Sequence, residues 1–91
     1  NVRYSNPKLM RVGHQYMAQT FDPKQFDGLL ELQTFHISPD KGLGIFTFDS
    51  QENMAKNLPN LKAFNKDYED RFSCKITVDT GIVNSELSYK A

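Results

Sequence analysis

The junction between Ser38-Pro39-Asp40-Lys41-Gly42 and Leu43-Gly44-Ile45-Phe46-Thr47-Phe48 constrains this chain more than any other stretch. Proline presets φ and glycine tolerates the positive φ that closes a turn, so the first five residues read as a tight turn. The next six are almost wholly apolar and rich in β-branched and aromatic types, the pattern of a central strand covered on both faces. Asp49 and Ser50 are helix-capping types, and Glu52 follows Asp49 at the spacing of a capping box. Turn, strand and capped helix are thus expected in succession across 38–72.

The flanking chain supplies the rest. Val2-Arg3-Tyr4-Ser5 is a short β-like piece. Asn6 as N-cap and Pro7 in the first helical position start a helix that runs to about Thr20. Leu9, Val12, Gly13, Tyr16, Met17 and Thr20 fall on one face of it. Met10, Val12, His14 and Tyr16 also alternate, so a strand competes there; Asn6-Pro7 before and Asp22-Pro23 after favour the helix. Asp22-Pro23-Lys24-Gln25 reads as loop, and after Gly28, Leu29 to Ile37 reads as a strand. Its apolar phase slips between Leu30, Leu32 and Phe35, Ile37, which predicts a bulge near Gln33-Thr34.

The helix after Asp49 carries Met54, Leu58, Leu61, Phe64, Tyr68 and Phe72 on one stripe, and Pro59 predicts a break into 50–57 and 60–72. Cys74, Ile76, Val78 and Thr80 alternate with polar residues as a half-buried strand, with a bulge or bend at Gly81. Ile82-Val83 and Leu87-Ser88-Tyr89 are β-like, suited to extending that strand or pairing with another chain.

The order strand, helix, strand, strand, helix, strand is the split βαβ of a ferredoxin-like α+β fold: an antiparallel four-stranded sheet with two helices on one face. Ninety-one residues make a single domain, 1–91. Asn1 is not an initiator methionine, which leaves room for residues before it. The helix-free face would expose apolar side chains, a liability that a second subunit would relieve, so a homodimer through the sheet is expected. Eleven basic and eleven acidic residues balance, which speaks against a domain living on phosphate contacts. A lone cysteine excludes an intrachain disulfide and fits a reducing, cytoplasmic setting. No apolar run approaches the ~20 residues of a membrane span.

The run from Gly28-Leu29-Leu30-Glu31 through Lys41-Gly42-Leu43-Gly44-Ile45-Phe46-Thr47-Phe48-Asp49-Ser50-Gln51-Glu52-Asn53-Met54 resembles the dimeric α+β barrel superfamily. Within it, small antibiotic-biosynthesis-monooxygenase-like proteins are the nearest in pattern, and Thr80-Gly81-Ile82-Val83 is similar to their last strand. The resemblance implies two sheets packed into a barrel, a pocket between sheet and helices for a small apolar or aromatic ligand, and, in catalytic members, cofactor-independent oxidation. Such members often use a Trp, an Asn and a Tyr or His; this chain has no Trp. Lys41 to Phe48 also resembles the first ribonucleoprotein motif of an RNA-recognition motif, with Val2-Arg3-Tyr4-Ser5-Asn6-Pro7 echoing the second. That alternative implies a non-enzymatic module for single-stranded RNA or a protein partner, through Arg3, Tyr4, Lys41, Leu43 and Ile45. Leu43 and Ile45 are aliphatic where such motifs stack bases on aromatic rings.

Residues able to carry chemistry are few. His14, Tyr16, Asn53 and Tyr68 are the catalytic candidates, and Tyr16, Phe46, Phe64 and Tyr68 the ligand-binding ones. A histidine near its ordinary pKa suits general base work, and tyrosine hydroxyls suit orientation of a ligand. For each, packing or surface placement competes. His36 reads as an exposed or hydrogen-bonded strand residue, and Asn53 and Asn57 as surface or capping residues. Cys74 beside Lys75 fits either a lowered pKa or a small buried residue. One cysteine and two separated histidines do not make a zinc site, so no metal and no cofactor is expected.

Overall fold

A computed structural model describes residues 1–91. The chain forms β1 (Val2–Tyr4), α1 (Pro7–Thr20), β2 (Leu29–Ser38), β3 (Lys41–Phe48), α2 (Gln51–Phe72) and β4 (Cys74–Ile76), with single 3-10 turns at Pro23–Gln25 and Ser85–Leu87. The strands lie in the order β2-β3-β1-β4, every neighbouring pair antiparallel. This is the expected ferredoxin-like α+β layout. No helix is long and apolar enough to cross a membrane.

Local chemistry accounts for the helix boundaries. Asn6 Oδ1 accepts from Leu9 N at 2.9 Å and Pro7 fills the first position of α1. α2 is capped by Ser50, whose Oγ accepts from Asn53 N at 3.0 Å. The helix therefore begins one residue later than a box from Asp49 to Glu52 requires; Asp49 instead accepts from the Asn53 side-chain amide at 2.7 Å. α2 also runs unbroken through Pro59, against the expected split. An interior proline costs about 3 kcal/mol, but both halves are anchored. Asn57 donates from Nδ2 to Asp27 O and Asn53 O, each at 2.8 Å, while Tyr68 and Phe72 are buried further on. Asn57, read from sequence as a surface or capping residue, is thus the one buried polar side chain. Gly28 has φ +77°, a conformation side chains resist, as it carries the chain from Phe26 into β2.

Register settles the sheet faces. In the middle of the hairpin Leu32 pairs with Phe46, Gln33 with Ile45, Thr34 with Gly44 and Phe35 with Leu43, without interruption. The expected bulge at Gln33-Thr34 is absent; the irregularities fall at Leu30 and Ile37, between the pairs Leu29–Phe48 and Glu31–Thr47 and between His36–Gly42 and Ser38–Lys41. An extra residue at each place resets the alternation. Val2, Tyr4, Leu32, Thr34, His36 and Phe46 consequently share the helix side. Arg3, Phe35, Lys41, Leu43, Ile45 and Lys75 share the open side. β3 is interior as expected, but only its helix side is covered, and Ile45 remains 44% exposed.

The core is Tyr4, Met10, Tyr68 and Phe72, with Leu9, Tyr16, Met17, Val2, Cys74 and Ile76 packed around it. The buried line of α1 passes through Met10 and Gly13, with Leu9, Tyr16 and Met17 partly buried beside it, rather than through Val12, which is 43% exposed, or Thr20. Gly13 causes the rotation: with no side chain there, the tyrosine pair can lie directly against the helix. β4 ends at Ile76, short of the expected Thr80. Its only neighbour is β1, and their ladder closes at Asn1 and Thr77, which exchange bonds of 3.0 and 2.9 Å. Residues beyond run as non-strand chain with Val78, Ile82, Val83, Leu87 and Tyr89 exposed, so the β-like pieces there form no strand.

Candidate functional site

A cavity of about 480 Å3 lies between the helix side of the sheet and the two helices. That volume falls within the ~300–1,000 Å3 of small-molecule sites. Its walls differ in chemistry. One end is aromatic: Phe21, Phe46 and Phe64 line it, and Phe26 buttresses all three at ring-centroid distances of 6.0, 5.7 and 6.1 Å. Phe26 is buried although its segment reads as loop, and sequence periodicity gives no signal for it.

The other wall is a polar rail. His36 from β2 and His14 from α1 meet edge to face at 5.0 Å. His14 meets Tyr4 at 5.9 Å, and Tyr4 meets Tyr68 at 6.2 Å. The tyrosine hydroxyls share a buried hydrogen bond of 2.6 Å. One of them spends its proton on the other, which leaves one O–H to offer.

Burial and the partner hydrogen bond push the Tyr68 hydroxyl well above the ordinary tyrosine range, and burial raises Tyr4 as well. Both are therefore neutral donors near neutral pH. Burial, and then the neighbouring His36 ring, hold His14 below its usual pKa. A neutral His14 keeps one ring nitrogen free to accept a proton or a hydrogen bond.

Of the sequence candidates, His14, Phe46, Phe64 and Tyr68 come together around this cavity, joined by Tyr4 and His36. Tyr16 does not line it. Its ring packs at 5.2 Å against Phe72, with the Arg71 guanidinium 5.2 Å from its centroid. Asn53 is spent on the Asp49 carboxylate at the start of α2. Tyr4, a candidate for contact with nucleic acid, is turned inward and buried, whereas Arg3, Lys41, Leu43 and Ile45 do stand on the open side. Cys74 is not activated: burial, then the Glu69 charge, push its thiol up to about 11, the opposite of the lowering that Lys75 suggested. No three His, Cys, Asp or Glu side chains gather as metal ligands.

His36 was legible only as a strand residue, because its approach to His14 depends on its pairing with Gly42, at the end of the unbroken register that keeps Leu32, Thr34 and His36 on the helix side. Compared with protein-family models, curated proteins and solved structures, the chain matches none.

Proposed function

We propose that this chain binds a small, largely apolar or aromatic molecule bearing one polar group, in the cavity between sheet and helices. The reading rests on the division of that cavity into a phenylalanine end and a His36–His14–Tyr4–Tyr68 rail. Aromatic walls supply non-directional burial, about 25 cal/mol per Å2 of apolar area, and the rail fixes orientation through hydrogen bonds. The same picture fits a dimeric-barrel, monooxygenase-like protein in which Phe35, Leu43 and Ile45 on the open face meet a second subunit. No reaction is assigned.

The test is titration with 1-naphthol, followed by amide and aromatic chemical shifts. Shifts concentrated at Phe46, Phe64, Tyr68 and His36 are expected. Gly44→Val should abolish them with the fold intact, since a Cβ at Gly44 meets nothing nearer than Leu32 Cδ1 at 3.9 Å. Unchanged spectra at millimolar probe would refute the reading.

An RNA-recognition-like role has one observation in its favour. Arg3 pairs with Lys41 on one side and Lys75 on the other, so three cations stand abreast on the open face. Like charges directly opposite repel by about 0.2–1 kcal/mol, a cost that an anion would relieve. Anisotropy of a labelled oligouridylate tests this role. Salt-sensitive binding lost in Lys41→Glu supports it, and no binding at low salt removes it.

A further inference from the structure

The cavity between sheet and helices is built without fixed charge. Asp, Glu, Lys and Arg make up 24% of the chain, yet none of them lines this space. The strands turn their cations away, with Arg3, Lys41 and Lys75 on the open side. On α2 the charges around Tyr68 are spent elsewhere. Lys66 pairs with Asp70 at 3.1 Å and Arg71 with Asp67 at 2.8 Å, all four side chains more than half exposed. Glu69 accepts from Ile76 N at 2.8 Å. The polar groups left facing the cavity are the two imidazoles, the two phenols, the Thr34 hydroxyl and the Asn65 amide.

A wall of this kind restricts the polar group that a ligand can bring. An ion entering it gives up its water and finds no counter-charge, which is heavily unfavourable, whereas a neutral group loses only hydrogen bonds that the walls can replace. The rail can replace two, of opposite sense. The Tyr4–Tyr68 pair has one O–H left over from its own 2.6 Å bond and makes no other hydrogen bond in the protein. His14 lies against Tyr4 and, held neutral by burial and by His36, keeps an accepting ring nitrogen. A hydroxyl placed between them accepts from the phenol and donates to the imidazole. An ether oxygen or a carboxylate can only accept, and an ammonium can only donate.

On the reading that this cavity is the binding site, we infer that it selects uncharged hydroxy compounds, phenols and aromatic alcohols, and rejects carboxylates and amines of the same shape. The hydroxyl lies between His14 and the Tyr4–Tyr68 pair, and the ring system lies against Phe21, Phe46 and Phe64. Discrimination comes from the rail, because the phenylalanine end offers the same apolar contact to every ligand with that ring system.

The test compares 1-naphthol, 1-methoxynaphthalene, 1-naphthoate and 1-naphthylmethylammonium on the unaltered protein at pH 7.5, each followed by the chemical shifts of Phe46, Phe64 and Tyr68. Naphthol should bind about tenfold or more tightly than either ion, since both ions must be buried unpaired. It should bind about threefold or more tightly than the ether, the worth of one hydrogen bond. His14→Phe keeps a ring against Tyr4 and His36 but no nitrogen, so the preference for naphthol over the ether should vanish there. Thr34→Lys, at an exposed position on the cavity wall, should supply the missing counter-charge and raise naphthoate affinity about tenfold. Equal affinity for naphthol and naphthoate, for naphthol and the ammonium, or for naphthol and the ether overturns the inference while leaving the cavity as the site. So does a naphthol preference that survives His14→Phe, or naphthoate binding indifferent to Thr34→Lys. Shifts with none of the four probes refute the cavity as the site, and the inference falls with it.

Discussion

Gly13→Ala is the most informative single substitution, because general expectation and this structure disagree in sign. In an ordinary helix interior, alanine stabilises by about 1 kcal/mol relative to glycine. Here the added methyl would fall inside contact distance of the Tyr68 hydroxyl, with Tyr68 Cζ at 3.2 Å and Tyr4 Cε1 at 3.3 Å. The Tyr68 ring cannot swing away easily: Phe72 lies at 4.8 Å and Phe64 stacks at 6.5 Å. Overpacking costs about 1–3 kcal/mol. Breaking the 2.6 Å bond between two buried hydroxyls adds about 1–3 kcal/mol.

Set against the propensity gain, the expected net loss is about 3 kcal/mol, read as a lower urea midpoint with an unchanged slope. In a Tyr68→Phe background the obstructing oxygen is gone, so Gly13→Ala should cost less than about 1 kcal/mol. The double-mutant cycle then gives a coupling of about 2 kcal/mol. If Gly13→Ala raises stability in the unaltered protein, the contact between α1 and the tyrosine pair is not as described.

Three further outcomes follow from other parts of the fold. Pro59→Ala should raise the denaturation midpoint by the equivalent of about 1–3 kcal/mol, since α2 already passes through that position as helix; a loss would mean that proline is needed there. The folded pKa of His14 is lowered, so the unfolded chain binds the proton more readily. Stability should be full above about pH 6.5 and decline as pH falls below it. Imidazole NMR checks this directly, and a His14 titration at or above the free-histidine value refutes it. Cys74, with its thiol pushed up to about 11, should react with a disulfide reagent at pH 8 far more slowly than in the urea-unfolded chain, and equal rates would refute its burial.

The elements that could be read from the sequence are those set by neighbours a few residues away. Asn6-Pro7 fixes the start of α1, the Ser38–Gly42 turn fixes the hairpin, and alternation plus element order fixes the layout. What escaped depends on partners far along the chain. Asn57 looks like a surface amide until Asp27, thirty residues earlier, presents its carbonyl. Pro59 looks like a breaker until the packing of both halves of α2 is counted. The two bulges of β2 arise from matching a ten-residue strand to an eight-residue one, and no residue in Gln33-Thr34 announces or denies them. For the site, the apolar stripe of α2 and the run of β3 brought Phe64, Tyr68 and Phe46 to the cavity, whereas Tyr16, read from the stripe of α1 in the same way, packs on Phe72 and Arg71 instead. The Tyr4–Tyr68 bond and the His14–His36 contact join different elements, so their spacing in sequence carries no signal.

The brevity of β1 has a mechanical consequence. Within the sheet, the long hairpin on one side and β4 on the other touch only through Val2, Arg3 and Tyr4. The layer is therefore two stiff leaves joined by a three-residue seam, and transverse load concentrates there. Under stretching, the leaves should part at this seam before the long hairpin unravels, while the tyrosine pair holds the seam strand itself to α2.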